Sequence, residues 1–411
     1  VVLRGFCFSL IVTTALAAPA LASEVQTHAP AAPPAPERPD MHYVPAIAHP
    51  VIDPATSDAR LDQFKPTTDP IRHRIDYETW DFALKHIVMT MGPSERKGTP
   101  RPDPLMGTRI KQGVQSRYRL EGSMVIYRFF DQKVVDSFTA YRKDLESVTE
   151  TLDIASLPRN EQLAFWLNLH NVALLEQIAR AWPLREPEEL KLDGVQLDEA
   201  RFITVKGVPV SLRDIRENIV FRHWKDPKVI YGFWRGAIGG PELQRDAFTG
   251  GNVGSLLDIA AADYVNSLRG TQQRGETLEV SSLYAEVAPF YFPDFDRDLR
   301  AHLARYAEEP VGAVLEKTSA TRATIRQTEI ADLHGGARPP NYVFGLTIAG
   351  AEEGGTGMIG WAEKMGVAAL DLIADRDAKL MRMQRRGQPI GRVFFSNIDL
   401  PGDPPNKNAV E

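Results

Sequence analysis

The stretch from Leu157 to Trp182, LPRNEQLAFWLNLHNVALLEQIARAW, constrains the fold of this chain more than any other. It carries the longest uninterrupted helical pattern in the sequence. At about 100° per residue, Leu163, Trp166, Leu167, Leu174 and Ile178 fall on one side, and Phe165, Leu169 and Val172 on the other. A helix that is apolar nearly all round has to be enclosed by other elements. The fold is therefore built around this segment. Yet Asn168, His170 and Asn171 interrupt it at its middle. Buried polar groups need hydrogen-bond partners or cost about 1–3 kcal/mol each. Two roles are open to these three: they tie neighbouring segments to the helix, or they line a site.

The ends of the chain carry different information. Arg4, the apolar run Phe6 to Ala18, and Ala20-Leu21-Ala22 before Ser23 form the pattern of a secretory signal peptide cleaved near Ala22-Ser23. The run is too short for a transmembrane span, and no later segment offers one. The expected location is periplasmic or secreted, and Val1 fits a non-AUG start codon, an expectation of bacterial origin. The sole cysteine, Cys7, lies within the signal, so the mature chain is expected to lack thiol nucleophiles, disulfides and cysteine metal sites. Residues 23–74 are rich in Pro and Ala and read as a disordered leader. Its histidines, His28, His42, His49 and His73, are scattered as in a solvated segment. No metal or cofactor is expected. The net charge of −6, without a Lys/Arg run, argues against a nucleic-acid binder held by phosphate contacts.

From residue 75 the patterning is globular. Helices are predicted over Tyr77–Met91, Asp131–Val148, Asn252–Leu268 and Arg297–Tyr306, with a strand over Ser123–Phe130. FITVKGVPVSL, residues 202–212, alternates around Lys206-Gly207 as a hairpin does. Ser211 then caps a helix whose buried stripe is Leu212, Ile215, Ile219 and Phe221 or Arg222. KVIYGFW, residues 228–234, reads as β-rich, and RGAIGGPEL after it as a Gly-rich loop. Beyond residue 309 the chain predicts strands over Asn341–Ile348 and Arg392–Asn397 and a helix over Met358–Met383. Two motif-like stretches are coincidences of spacing. Ser94 to Lys97 has an S-x-x-K pattern on a Gly/Pro-rich loop, and Gly354 to Gly357 lacks the remainder of a phosphate-binding motif. The fold class expected is α+β: a single helix-rich domain with small sheet and hairpin elements over residues 75–308. A C-terminal α/β extension, residues 309–411, packs on it.

Several of these stretches resemble one family, the domain of unknown function DUF547. Phe165 to Leu174, FWLNLHNVAL, is similar to its F-W-I-N-x-Y-N-A-L core. Phe202 to Leu212 resembles its hairpin, and Ile215 to Arg222 the helix after it. Asp226 to Leu243 resembles its D-P-R-I-H-F-A-L-x-C-G-x-x-S-C-P-x-L segment, and Leu278 to Phe295 its closing segment. The departures bear on function. The family's histidine position holds Ile230, its two cysteine positions hold Arg235 and Gly240, and its tyrosine holds His170. Any thiol chemistry that the resemblance implies for other members is closed to this chain.

The candidate site lies where the 165–175 helix meets the 230–243 loop. His170 has the chemistry of a general base, with Asn168 orienting it or donating to an oxyanion. Asn171, Arg222, Trp234, Arg235, Gly236 and Glu242 are the candidate ligand contacts, with Arg235 suited to gripping an anion. Each has a plainer role beside this one: His170 as a core histidine, the two asparagines as clamps on loops, Arg222 as a helix cap, Gly236 as a backbone turn. The function expected is a non-thiol module binding a small molecule or an envelope protein. The alternative is a hydrolase or acyl-transfer enzyme using His170 with Asn168 and Arg235.

Overall fold

A computed structural model of the chain describes residues 58–67, 73–99, 113–338, 365–390 and 410. The signal sequence, most of the leader, the 341–348 and 392–397 strands and the 354–357 loop lie outside the described residues. The architecture is α+β, with helices dominating and only small, separate sheets.

Helix α1, Glu78–Ile87, buries Trp80 and Leu84, four residues apart, and runs straight into strand β1, Val88–Thr90. Strand β2, Ser123–Val125, pairs antiparallel with β1, and the rest of the expected 123–130 strand becomes a 3-10 turn, Tyr127–Phe129. Helix α2, Gln132–Thr151, begins at Asp131, whose carboxylate accepts from the Val134 amide at 3.0 Å. An acceptor of this kind satisfies one of the four amides a helix leaves open at its start.

Helix α3, Arg159–Ala181, is the segment with which the sequence analysis began, and every residue from Glu161 to Ala179 is buried. Two sides of α3 are covered by α2 and by the segments that follow. Where α2 meets α3, Glu176 is buried and takes the Arg142 guanidinium, the Thr139 hydroxyl at 2.8 Å and Arg180 Nε at 3.2 Å. A buried carboxylate is tolerable only when it is paired in this way.

After α3 come two hairpins, β3 (Lys191–Leu192) with β4 (Val195–Gln196), and β5 (Ile203–Val205) with β6 (Val208–Val210). Lys206 and Gly207 at the tip of the second have φ of 50° and 75°, the pair of positive angles that a two-residue primed turn needs. Ser211 then opens the next helix in a reciprocal cap. Its Oγ accepts from Asp214 N at 3.0 Å and its own amide donates to Asp214 Oδ2 at 3.1 Å. The helix itself departs from expectation. Asp214–Val220 is a π-helical turn, followed by one α turn, α4, Phe221–His223. The wider turn buries Asp214, Ile215, Arg216 and Glu217 in succession, so a charged residue enters the core beside the expected stripe.

The run 228–234 is not a strand. Pro227–Gly232 forms a 3-10 turn capped by Asp226, and Val229 to Trp234 are all buried. Its backbone is held by the Asn171 side chain of α3 rather than by a sheet, so its apolar, β-branched composition serves burial. Helix α5, Val253–Val265, covers this turn: a side chain at Gly232 would stand 2.7 Å from Leu167 of α3 and 2.9 Å from Leu257 of α5.

The remaining described elements are β7 (Thr271–Arg274), β8 (Thr277–Ser281), α6 (Ser282–Tyr291), α7 (Phe295–Tyr306), α8 (Glu309–Lys317), β9 (Ala320–Ile325) and α9 (Val367–Arg385). Strands β7, β8 and β9 form one sheet in that order, with β8 and β9 parallel. A parallel pair needs a long crossover, here supplied by α6, α7 and α8. Residues 309–325 are thereby woven into the sheet that starts at Thr271. Helix α9 docks through Lys379, whose ammonium donates to the carbonyls of Pro93 at 2.9 Å and Leu120 at 2.7 Å. Among the described residues, no helix is long and apolar enough to cross a membrane.

Candidate functional site

The polar residues of α3 point to different neighbours. Asn168 clamps one loop from both sides: its Nδ2 donates to Phe248 O at 2.7 Å and its Oδ1 accepts from Phe248 N at 3.1 Å. Asn171 clamps another, donating to Gly232 O at 2.9 Å and accepting from Trp234 N at 3.2 Å. These bonds fix the amide orientation, so it is Asn171 Oδ1 that faces His170 Nδ1, at 3.0 Å. An oxygen there requires Nδ1 to carry the proton. The other ring nitrogen, Nε2, then holds the lone pair, and it faces Arg216 Nη1 at 3.1 Å. His170 is 0% exposed and packs edge-on against Phe233. Burial, reinforced by the Arg216 cation, pushes its pKa well below the usual histidine value. The imidazole is thus neutral, with both nitrogens engaged.

Arg216 continues the chain of contacts outward. Its side chain is 1% exposed, and it grips Asp198 with two bonds, Nη1 to Oδ1 at 2.7 Å and Nη2 to Oδ2 at 2.6 Å. Burial alone would raise the Asp198 carboxyl, but Arg216 outweighs it and holds the group well below the ordinary carboxylate range. Glu286, on α6, lies 4.0 Å from Arg216 Nη2 and also takes the Arg235 guanidinium. Asp198 and Glu286 are each 40% exposed and Arg235 is 19% exposed. The cluster therefore buries its imidazole and one guanidinium and offers two carboxylates and the edge of a second guanidinium to solvent.

Asn168 belongs to a different contact and does not orient His170. Trp234 is buried beside the Asn171 clamp. Gly236 has φ of 77°, and a side chain there would stand 2.5 Å from Ile178 of α3, so backbone conformation and close approach both call for glycine. Glu242 is half-buried and accepts from Gln244 at 3.2 Å. Arg222 reaches Asn218 Oδ1, one turn back on its own helix, at 3.3 Å. Ser94 of the S-x-x-K stretch gives its hydroxyl to Glu121. The residues that the sequence reading passed over are Asp198, Arg216 and Glu286. The one available signal was a charged residue next to the stripe position Ile215.

The loop also brings residues 235 and 240 close together. A Cβ on Gly240 would lie 3.0 Å from the Arg235 Cβ. Disulfide-bonded residues have Cβ atoms about 3.5–4.5 Å apart. The two positions that hold cysteine in the resembling pattern thus face one another across the loop. Here glycine at one of them leaves room for the arginine at the other. Among the described residues no group of three or more His, Cys, Asp or Glu side chains is placed to hold a metal ion.

The family model for DUF547, a protein of unknown function, matches residues 154–265. Residues 154–265 are thus a DUF547 segment within the longer chain. The match takes in α3, both hairpins, the π-helical turn, the clamped loops and α5, and so every residue of the cluster except Glu286. No curated protein and no solved structure matches the chain. The DUF547 segment therefore brings a shared framework and no named activity. What it can do chemically has to come from its own groups. It offers hydrogen-bond acceptors and a guanidinium edge at the surface, and no thiol, since the sole cysteine is Cys7. The buried histidine has no free lone pair.

Proposed function

We propose that this chain is an exported DUF547 module that binds a small ligand without covalent chemistry, at the face where Asp198, Glu286 and Arg235 reach solvent. The observation that carries this reading is the wiring of His170. Its Nδ1 is spent on Asn171 and its Nε2 on Arg216, and the ring is sealed from solvent. A general base needs an open lone pair within reach of the substrate. A binding surface needs rigid, prepositioned polar groups, which the chain from Asn171 through His170 and Arg216 to Asp198 supplies. Export rests on Arg4, the apolar run Phe6 to Ala18, and Ala20-Leu21-Ala22. A ligand at this face would be recognised by donors directed at the two carboxylates.

The test is native mass spectrometry of the purified mature chain beside Arg235→Ala and Glu286→Gln, with N-terminal sequencing of the exported product. The reading expects a co-purifying small molecule that is lost from both variants, and a mature chain starting at Ser23. A ligand retained by both variants would remove this face from the site. Steady hydrolytic turnover that disappears in His170→Ala would overturn the non-catalytic reading.

A further inference from the structure

A second feature lies where α3 ends and α2 begins. A cavity of about 410 Å³ is lined by Tyr127, Arg128, Asp131, Arg180, Trp182 and Arg338, among others. That volume is within the range of about 300–1,000 Å³ usual for small-molecule sites. Its charge is lopsided. Arg180 is balanced by Glu176. The Asp131 carboxylate is occupied in capping α2 at the Val134 amide. Among the described residues, neither Arg128 nor Arg338 makes an ion pair. Arg338 lies over the Trp182 ring, 5.8 Å from its centroid, and Arg128 Nε is shut off from solvent with no acceptor among the described residues. A buried donor without an acceptor is costly, and an acceptor on a ligand would relieve it. Tyr127 contributes a second such group, a hydroxyl that is buried and, among the described residues, unpartnered. The indole of Trp182 is held in place by its own bond to Asp332 Oδ2 at 3.1 Å. The first turn of the 20-residue helix α2 also borders the space, with the Asp131 carboxylate already at its amide end.

From these observations we infer that the cavity is a binding site for a small organic oxyanion, held by Arg128 and Arg338 with its body against Trp182. Guanidinium groups recognise carboxylate and phosphate alike through paired N–H donors. The shared chemistry is an oxyanion on a compact molecule. None of the lining residues belongs to the Asp198–Arg235–Glu286 face, so the two sites stand or fall separately.

The test uses isothermal titration of the full mature chain with two probes, sodium phosphate and sodium benzoate. Comparison variants are Arg128→Gln and Arg338→Gln, with Arg274→Gln as an exposed arginine elsewhere. Binding of at least one probe below about 10 mM is expected, weakened about tenfold or more by either cavity variant and untouched by Arg274→Gln. Trp182→Leu should weaken benzoate more than phosphate if an aromatic carboxylate is the better ligand, and leave both equal if the phosphoryl group alone is read. Arg338 is exposed, so its variant keeps the test valid should Arg128→Gln fail to fold. No binding of either probe up to about 10 mM, or binding unchanged in Arg338→Gln, overturns the proposal.

Discussion

The middle and the end of helix α3 treat buried polar groups in opposite ways. At the middle, Asn171, His170 and Arg216 form a continuous set of bonds, Asn168 separately clamps the Phe248 backbone, and only Arg216 Nε of these four residues lacks a partner among the described residues. At the end, Asp332 Oδ1, the Tyr127 hydroxyl, Arg128 Nε and both nitrogens of His334 are buried without partners among the described residues. Satisfied networks make a framework rigid and specific, and unsatisfied ones are paid for in stability and are informative where they border a cavity. Of these unpartnered groups, those of Tyr127 and Arg128 belong to residues that line the cavity, and the contrast sets them apart from the groups that position the fold.

The largest effect expected is at the framework. Asn171→Ala removes the partner of Gly232 O, Trp234 N and His170 Nδ1 together. At about 1–3 kcal/mol for each stranded group, the loss should be about 4 kcal/mol in urea unfolding. A loss under about 1 kcal/mol would mean that water replaces the amide freely, and the contrast with the cavity end would collapse.

The opposite sign is expected at the cavity end. Burial raises the Asp332 carboxyl from 3.8 to about 6, against the bonds from Gly336 and Trp182 that favour its charged form. The native state then holds a proton that the unfolded state releases. The stabilising contribution is complete below the unfolded value and is lost as pH rises through about 6. At neutral pH the ionised group costs about 3 kcal/mol. Asp332→Asn should therefore gain stability over wild type as pH rises from about 4 to 6.5. Equal pH profiles for the two proteins would show that the carboxylate is hydrated or paired.

A smaller effect sharpens the account of the loop. The double substitution Arg235→Cys with Gly240→Cys should form a disulfide, visible as a two-dalton loss in mass and absent after reduction. For so short a loop the gain is about 2 kcal/mol in the chain-entropy view, offset by loss of the Arg235–Glu286 pair. Failure to oxidise would mean that the two positions do not face one another. The smallest effect is at the cap: Ser211→Ala should cost about 1 kcal/mol, and no loss at all would show that Asp214 caps the turn alone.

How much of this was legible in the sequence depends on whether the signal was local. The α3 core helix, the 203–210 hairpin and the Ser211 cap were read from period and turn residues, which are properties of neighbours in sequence. The 228–234 run was misread because a fully buried apolar segment has the same composition whether it pairs in a sheet or is clamped by Asn171. Arg216 was missed because a π-helical turn changes which residues face inward, and nothing in DIRENIV announces it. Glu286 was missed because its partners, Arg216 and Arg235, are brought to it only by the tertiary fold. The sequence thus pointed to one helix and one loop, and the charged groups that complete the cluster around His170 came from elsewhere.

The state of His170 tests the central claim most directly. Nitrogen-15 NMR of the labelled chain should show a neutral imidazole protonated at Nδ1, unchanged from about pH 8 down to about pH 5, where a free histidine titrates. A resonance that titrates near the ordinary value, or an Nε2-protonated tautomer, would contradict the wiring through Asn171 and Arg216 and return His170 to the list of catalytic groups.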